Sequence, residues 1–119
     1  MQYMLMFYDS ADGFACRTDE RAPAYFAGWN AYVQALVQSG VVRGGNGLAS
    51  PDSATVLRLR GTEREIHDGP FADTKEQLGG YFIVEVEHLD AALAWAARAP
   101  CAGTGGVEVR PVMNPPAQA

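Results

Sequence analysis

The sequence predicts an α+β fold, a ferredoxin-like split βαβ unit with an added β-hairpin. Three observations support this prediction. Strand-like and helix-like segments alternate in the order strand, helix, strand, then strand, helix, strand. A pair of polar, strand-like segments is inserted between the two halves. The 119 residues fit a single domain with one hydrophobic core. Right-handed crossovers would then place both helices on one face of a four-stranded antiparallel sheet.

The first half of the unit begins with a strand, QYMLMFYD, that carries apolar side chains on both of its faces. A polar loop is expected over residues 10–19. The following stretch, PAYFAGWNAYVQALVQSG, has apolar residues at helical spacing. It predicts a helix that begins near Pro23 and ends at Gly40 in a left-handed cap, because proline suits the first turn and glycine suits the cap. VVRGGNGL predicts a short strand.

The second half of the unit follows a predicted hairpin. TVLRLR and EREIHD, joined through Gly61 and Thr62, alternate polar and apolar residues as paired strands do. YFIVEVE predicts a strand, LDAALAWAARA a helix that Pro100 stops, and GVEVRPVM the last strand. We expect a single domain over residues 1–113 and a flexible tail over residues 114–119.

The apolar pattern of the first strand requires cover on both faces of the sheet. The two predicted helices cover one face, and the sequence offers no third helix or second sheet for the other. Burying apolar surface gains about 25 cal/mol per Å², so the bare face favours a partner surface. The predicted solution is a homodimer whose sheets pack face to face as a dimeric α+β barrel.

Composition and charge exclude several classes of protein. With 48% hydrophobic and 19% charged residues, the chain has a globular composition. It has no apolar run of membrane-spanning length and no basic region before an apolar N-terminal core, so we expect a cytoplasmic protein without a membrane partner. The net charge of -5 and the lack of a basic cluster argue against nucleic acid. Cys16 and Cys101 lack neighbours at metal-ligand spacing, so we expect reduced thiols, no metal and no cofactor.

The densest chemistry lies in residues 67–82, HDGPFADTKEQLGGYF. Its parts DGPF (68–71) and TKEQLGGY (74–81) resemble the signature of the YCII-related, or DGPF, family. The similarity covers nearly the whole chain, and it includes the opening strand YMLMFY, the helix end at Gly40, the segments LDAAL and WAAR, and the ending VEVRP. The resemblance implies a ferredoxin-like subunit in a dimeric α+β barrel, in agreement with the argument from the strands.

The resemblance implies less about activity. The wider YCII group is suggested to be enzymatic through a His and Asp pair in a cleft, and members with this motif resemble accessory proteins of extracytoplasmic-function sigma factors. Here the helical His position of the wider group falls near Trp29, and the helix contains no His. An indole cannot exchange protons near neutral pH, so that general-base role does not carry over.

His67 and Asp68 form the local pair that is able to do acid–base work. Adjacent residues of a strand point to opposite faces, so a hydrogen-bonded dyad requires a bend at the turn. Asp68 also has a structural alternative, because a carboxylate before Gly-Pro accepts backbone amides and fixes the turn. Phe71 is expected to anchor the turn in the core or at the dimer seam.

Four further residues are candidates for ligand binding. Lys75 is the candidate cation for a polar ligand, and the alternative for its segment is a surface loop tied by the Thr74 hydroxyl. Asp9, at the end of the first strand, and Tyr81 are candidate polar groups at the mouth of an apolar pocket. Trp29 is a candidate for the wall of that pocket.

The leading hypothesis is a dimeric protein that binds a small apolar or aromatic molecule beside the loop at residues 68–80, as a sensing or accessory protein, with a sigma-factor setting implied by the resemblance. The first alternative is a cofactor-free isomerase or lyase-like enzyme, with Asp68 as base, His67 as proton carrier and Lys75 as anion clamp. The second alternative is a protein-interaction module that works through the outer helices.

Overall fold

The computed structural model describes residues 1–71 and 74–114, and the predicted tail lies outside them from residue 115 onwards. The elements in chain order are β1 (Gln2–Ser10), α1 (Ala11–Ala15), α2 (Ala22–Ser39), β2 (Val42–Gly47), β3 (Thr55–Arg60), β4 (Glu63–Asp68), β5 (Glu76–Glu85), α3 (Leu89–Ala97) and β6 (Gly106–Pro111). A 3₁₀ turn, Pro51–Ser53, precedes β3. Among the helices in these ranges, none has the length and apolar character that crossing a bilayer requires.

The main sheet has four antiparallel strands in the order β2-β5-β1-β6. This is the order of the split βαβ unit, and it confirms the mixed α+β prediction. Strand β1 pairs on both sides, so its central residue Leu5 lies opposite Phe82 of β5 and Val109 of β6. The pairing of β1 with β5 contains a bulge, because Phe7 pairs with Gly80 and the next residue pairs with Leu78.

The ends of the two long helices agree with the local sequence. Helix α2 begins at Ala22 with Pro23 in its first turn, and it ends at Gly40 with a φ of 80°. Only a residue without Cβ adopts that left-handed conformation at little cost, so the predicted cap is confirmed. Helix α3 begins after His88, whose Nδ1 accepts a hydrogen bond from the amide of Ala91 at 3.2 Å.

The hydrophobic core lies between the sheet and the two long helices. Its members come from one face of the sheet and from the helix sides that face it; the main ones are Tyr3, Leu5, Phe7, Tyr32, Leu36, Val84, Ala92 and Ala96. The Tyr32 hydroxyl donates to the carbonyl of Trp95 at 2.9 Å and so links α2 to α3. Both helices therefore pack on one face, as the right-handed crossovers predict.

The opposite face of the sheet carries the other half of the apolar pattern of β1. Met4, Met6 and Tyr8 alternate with the core residues and are half-buried. The register places Ile83 beside Met4 and Tyr81 beside Met6 on this face. Because α2 and α3 lie on the Leu5 face, neither helix covers the Met6 face.

The added hairpin forms a separate two-stranded sheet of β3 and β4. Gly61 supplies its turn, and the amide of Gly69 donates to the carbonyl of Ala54 at 2.6 Å to close its base. Three apolar side chains on this hairpin, Leu57, Leu59 and Ile66, are exposed. The predicted hairpin is therefore correct; Val56 of β3 is buried, whereas these three exposed side chains add little to the core of the subunit.

Replacement of Leu36 by Ala should lower the free energy of unfolding by about 2–5 kcal/mol, because the side chain is fully buried and its loss leaves a cavity. Val37→Ala on the same helix is the matched control, since Val37 is 58% exposed and should change stability by less than about 0.5 kcal/mol. Chemical denaturation of both variants measures the difference. Equal losses would contradict the position of the core.

Candidate functional site

A cavity of about 410 Å³ opens between α2, α1 and one end of the main sheet. Its walls are largely aromatic and aliphatic, and they include Phe7, Phe14, Tyr25, Phe26, Trp29, Val33, Leu48 and Phe82. Two charged residues, Asp9 and Arg17, also line it. A mostly apolar concave site of this size with few polar groups is typical of a site for a small organic molecule.

Helix α1 brings two of the lining residues to the sheet. The Ser10 hydroxyl caps this helix by accepting a hydrogen bond from the amide of Gly13 at 3.2 Å. Phe14 and Arg17 then lie against β5 at Gly79, and the Arg17 guanidinium stacks 4.9 Å from the centre of the Phe14 ring. The polar loop expected over residues 10–19 is therefore wrong in its first part, because a capped five-residue helix forms there.

Three hydrogen bonds to neutral oxygens hold the Arg17 guanidinium in place. Nε donates to the Tyr25 hydroxyl at 3.2 Å, Nη1 to the carbonyl of Leu48 at 2.6 Å and Nη2 to the carbonyl of Gly79 at 3.1 Å. Within residues 1–71 and 74–114, no carboxylate forms an ion pair with Arg17. The charge is thus fixed in position but not neutralised.

Asp9 is a buried carboxylate, with 8% of its surface exposed. Its Oδ1 accepts hydrogen bonds from the amide of Ser10 at 2.9 Å and from the Thr104 hydroxyl at 3.4 Å. A Cβ at Gly13 would collide with this carboxylate, so glycine is needed where α1 passes over Asp9. Buried carboxylates keep such hydrogen bonds because an unpaired one is costly.

The double glycine of the motif gives room for the site. Neither Gly79 nor Gly80 has a positive φ. A Cβ on Gly79 would lie 3.0 Å from both Arg17 Nη2 and Phe14 Cε1, and one on Gly80 would lie 3.1 Å from the carbonyl oxygen of Asn46. The two glycines therefore allow α1 and β2 to approach β5 closely.

Cys101 lies at the inner wall of the cavity and is 2% exposed. Burial, and secondly the charge of Asp9, raises the pKa of its thiol to about 11. The thiol is therefore protonated at neutral pH and is a poor nucleophile. Burial also raises the pKa of Tyr32, deeper in the core.

Trp29 forms part of an aromatic cluster in the wall. Its ring lies 5.1 Å from Phe7 and 5.8 Å from Tyr32, both in edge-to-face geometry. Its indole Nε1 is buried and has no hydrogen-bond acceptor among the residues that the structure describes. A buried donor without a partner is uncommon in proteins.

Comparison with known proteins identifies the family. Residues 1–115 match the family model of the YCII-related domain. The chain belongs to the YCII-related family. This YCII-related domain is 31% identical, over 114 residues, to an uncharacterised protein of Rhizobium meliloti (strain 1021); the match covers 94% of this chain and 92% of that protein. The resemblance inferred from the motif is thereby confirmed.

The fold of this YCII-related domain is similar to that of a solved enzyme. That protein is the 5-chloro-2-hydroxyhydroquinone dehydrochlorinase TftG from Burkholderia phenoliruptrix AC1100, in complex with 2,5-dihydroxybenzoquinone. The TM-score is 0.55 at 17% sequence identity, and the match covers 97% of this chain and 96% of that chain. The likeness is one of fold.

Three of the predicted ligand-binding residues line the cavity: Asp9, Trp29 and Tyr81. Tyr81 lines the cavity through its main chain, because its pairing with Met6 places its side chain on the other face of the sheet. There its hydroxyl accepts a hydrogen bond from Asn46 Nδ2 at 3.3 Å.

The predicted catalytic pair lies outside this cavity. His67 and Asp68 are both exposed at the end of β4, and they point to opposite faces of the hairpin beside Val56 and Thr55 respectively. Asp68 makes no side-chain hydrogen bond to residues 1–71 or 74–114, and its turn-fixing role stays a prediction. The catalytic role of the pair stays a prediction.

Lys75 and Phe71 also lie away from the cavity. Lys75 lines a shallower depression of about 510 Å³ together with Tyr8 and Glu108. Burial, and secondly Glu108, raises the pKa of the Tyr8 phenol at this depression. Phe71 is 71% exposed and packs under the guanidinium of Arg58 at 4.8 Å, so the expected anchor in the subunit's own core is wrong.

The sequence interpretation missed Arg17, Phe14 and Tyr25. A signal for the short helix was present, because Ser10 precedes Asp12 in the pattern of a helix cap with an acid in the first turn. No local pattern indicates the carbonyl partners of Arg17, which lie 31 and 62 residues away in sequence. Within the described ranges, no three His, Cys, Asp or Glu side chains come close enough to hold a metal ion.

Alkaline pH should destabilise the protein through Cys101. A thiol whose pKa is raised in the folded state stabilises the fold fully below the unfolded pKa of 9.0, and this contribution is lost as the pH rises through about 11. The loss should be about 2 kcal/mol in unfolding free energy, and it should be absent in Cys101→Ala. Denaturation curves between these two pH values measure it.

Cys16→Ala is the control for the alkaline loss, because Cys16 is a partly exposed free thiol outside the cavity. It should keep the wild-type dependence on pH. A Cys101→Ala variant with the same dependence would contradict the assignment of the effect to this thiol.

Proposed function

We propose that this YCII-related domain binds a small, ring-bearing organic molecule in the cavity between α2 and the main sheet. The observation that carries the proposal is the cavity itself, about 410 Å³ with aromatic walls and two charged residues. Sites for small organic molecules combine an apolar lining with a few fixed polar groups, and this composition fits. The pre-formed polar contacts of Arg17 and Asp9 reduce the cost of ordering the site on binding.

The aromatic walls favour a flat ligand. Phe7 already packs edge to face with Trp29 and with Phe82, at 5.1 and 5.9 Å between ring centres. A further ring extends this arrangement at little entropic cost, because aromatic side chains have few rotamers to lose. In the related fold of the dehydrochlorinase the bound compound is also a ring, 2,5-dihydroxybenzoquinone, which makes that compound a reasonable member of a ligand screen.

A sensing or accessory role is the biological setting we propose for this binding. Its support is the resemblance of the motif to accessory proteins of extracytoplasmic-function sigma factors. A sensor needs a site that binds a ligand without consuming it. The inert Cys101 thiol fits such a site, and so does a lining that contains no His among the residues the structure describes.

Val33→Trp should abolish ligand binding by filling the cavity, because Val33 lines it from α2. The measurement is a thermal-shift screen of small phenols, quinones and benzoates, followed by calorimetric titration of the compounds that raise the melting temperature of the wild type. We expect affinity to fall at least about tenfold, which corresponds to about 1.4 kcal/mol.

Val37→Trp is the matched control, since Val37 lies one turn further along the same helix and is exposed. It should bind as the wild type does. A screen in which both variants respond like the wild type would place the binding site elsewhere and reject the proposal.

The enzyme alternative is a cofactor-free isomerase or lyase-like reaction. The observation in its favour is that the cavity contains a carboxylate, Asp9, together with a cation. The sequence predicts Asp68 and His67 as the acid–base pair. The hairpin that carries them does not line this cavity in the single subunit, so this mechanism requires the hairpin to reach the cavity. Chemical conversion of a screened compound by the wild type, and its loss in Asp68→Asn, would support this enzymatic mechanism. Recovery of every compound unchanged would support binding without catalysis.

We also propose that the chain forms a homodimer through the Met6 face of the sheet. The half-buried side chains of Met4, Met6 and Tyr8 form an apolar row, and Ile83 extends it onto β5. Face-to-face packing of two such sheets completes the α+β barrel and is isologous, as dimer contacts with two-fold symmetry are. A protein-interaction module working through the outer helices would instead use exposed residues such as Leu93.

Met6→Glu should convert the proposed dimer into monomers, because it buries a charge on each side of the interface. Light scattering coupled to size exclusion should give twice the 12.8 kDa chain mass for the wild type and the single mass for the variant. Leu93→Glu on α3, 45% exposed, is the control and should remain dimeric. A monomeric wild type at micromolar concentration would reject the dimer.

A further inference from the structure

We propose that the ligand of this cavity is an acidic ring compound that binds as its oxyanion, in the manner of a phenolate, with Arg17 as the anion-binding residue. The inference rests on the proposed function, since it names the chemical class of the molecule that the cavity binds. It goes beyond that function because it assigns a charge and an orientation to the ligand.

The first argument is the unused hydrogen-bonding capacity of Arg17. A guanidinium carries five N–H donors, and the contacts to Tyr25, Leu48 and Gly79 use three of them. Nη1 and Nη2 carry two N–H groups each, so one N–H on each of these nitrogens remains unused. All three acceptors are uncharged, so the positive charge lacks a counter-charge among the described residues.

The second argument is the excess of donors among the polar groups of the wall. The Tyr25 hydroxyl accepts from Arg17 Nε, which leaves its own O–H as a donor. The remaining Arg17 N–H groups are donors as well. An oxyanion accepts several hydrogen bonds at once, and charge-assisted bonds of this kind are stronger than neutral ones.

The third argument concerns Asp9, a carboxylate of the wall that forms no ion pair with Arg17. Asp9 is held by Ser10 and Thr104, and Arg17 shares neither of these partners. In this proposal Asp9 accepts a hydrogen bond from a neutral hydroxyl of the ligand. A ring with one ionised oxygen and one neutral hydroxyl satisfies both groups, whereas a cationic ring leaves the donors unpaired.

The test uses 4-nitrophenol, which ionises near neutral pH and turns yellow as the phenolate, and 4-nitroanisole, the same ring with a methyl ether that cannot ionise. Bound to the wild type at a pH below its own pKa, 4-nitrophenol should show the phenolate absorption. A preference of about tenfold for the phenolate lowers the pKa of the bound compound by about one unit. 4-Nitroanisole should bind more weakly.

Arg17→Gln should remove the phenolate absorption of the bound compound, and Arg17→Lys should restore part of the shift because it restores the charge. Arg43→Gln is the matched control. Arg43 also donates to two backbone carbonyls, of Gly40 at 2.8 Å and Val42 at 3.1 Å, but it does not line the cavity. Circular dichroism checks that each variant is folded. If the Arg17→Gln variant is unfolded, the absorption spectrum of 4-nitrophenol bound to the wild type decides.

The outcomes separate this inference from the proposed function. Phenolate absorption that depends on Arg17 supports both. Equal binding of the two compounds without that absorption rejects the oxyanion and leaves ring binding in place. Absence of binding by either compound, with Val33→Trp indistinguishable from the wild type across the wider screen, rejects both.

Discussion

The two-sided apolar pattern of β1 is the constraint on which the rest of the structure depends. As an inner strand it forms backbone hydrogen bonds on both edges, with β5 and β6, and it carries apolar side chains on both faces. One face receives α2 and α3 and becomes the core around Leu5. The other face has neither helix, so the same strand that builds the core also leaves an apolar row on the opposite face of the sheet.

The candidate site depends on the same strand at its far end. After Phe7 the pairing with β5 shifts by one residue, so Gly79 has no partner in β1. Bulges of this kind are frequent next to functional sites because they redirect the strand and its groups. Here the carbonyl of Gly79 accepts from both the amide of Leu48 and the guanidinium of Arg17. The irregularity of the sheet thus joins three distant segments at the cavity.

The fold could be predicted well from the sequence because its elements are long and periodic. Helix α2 (Ala22–Ser39) with its cap at Gly40, and the hairpin turn at Gly61, follow from spacing, proline and glycine alone. The site could be predicted only in part. Asp9 and Trp29 were identified, but Arg17 depends on contacts across 62 residues of sequence that no local pattern encodes. Phe71 is exposed, although its apolar side chain predicts burial.

The anchoring of Arg17 on main-chain oxygens has a consequence for how such a site diversifies. Carbonyl groups of Leu48 and Gly79 persist whatever side chain residue 48 carries, so the position of the cation does not depend on that side chain. The apolar walls supplied by α2 can therefore be exchanged for larger or smaller ones while the charge stays where it is. For the ligand that we propose, substitutions in these walls would change the shape that fits and leave the required charge unchanged.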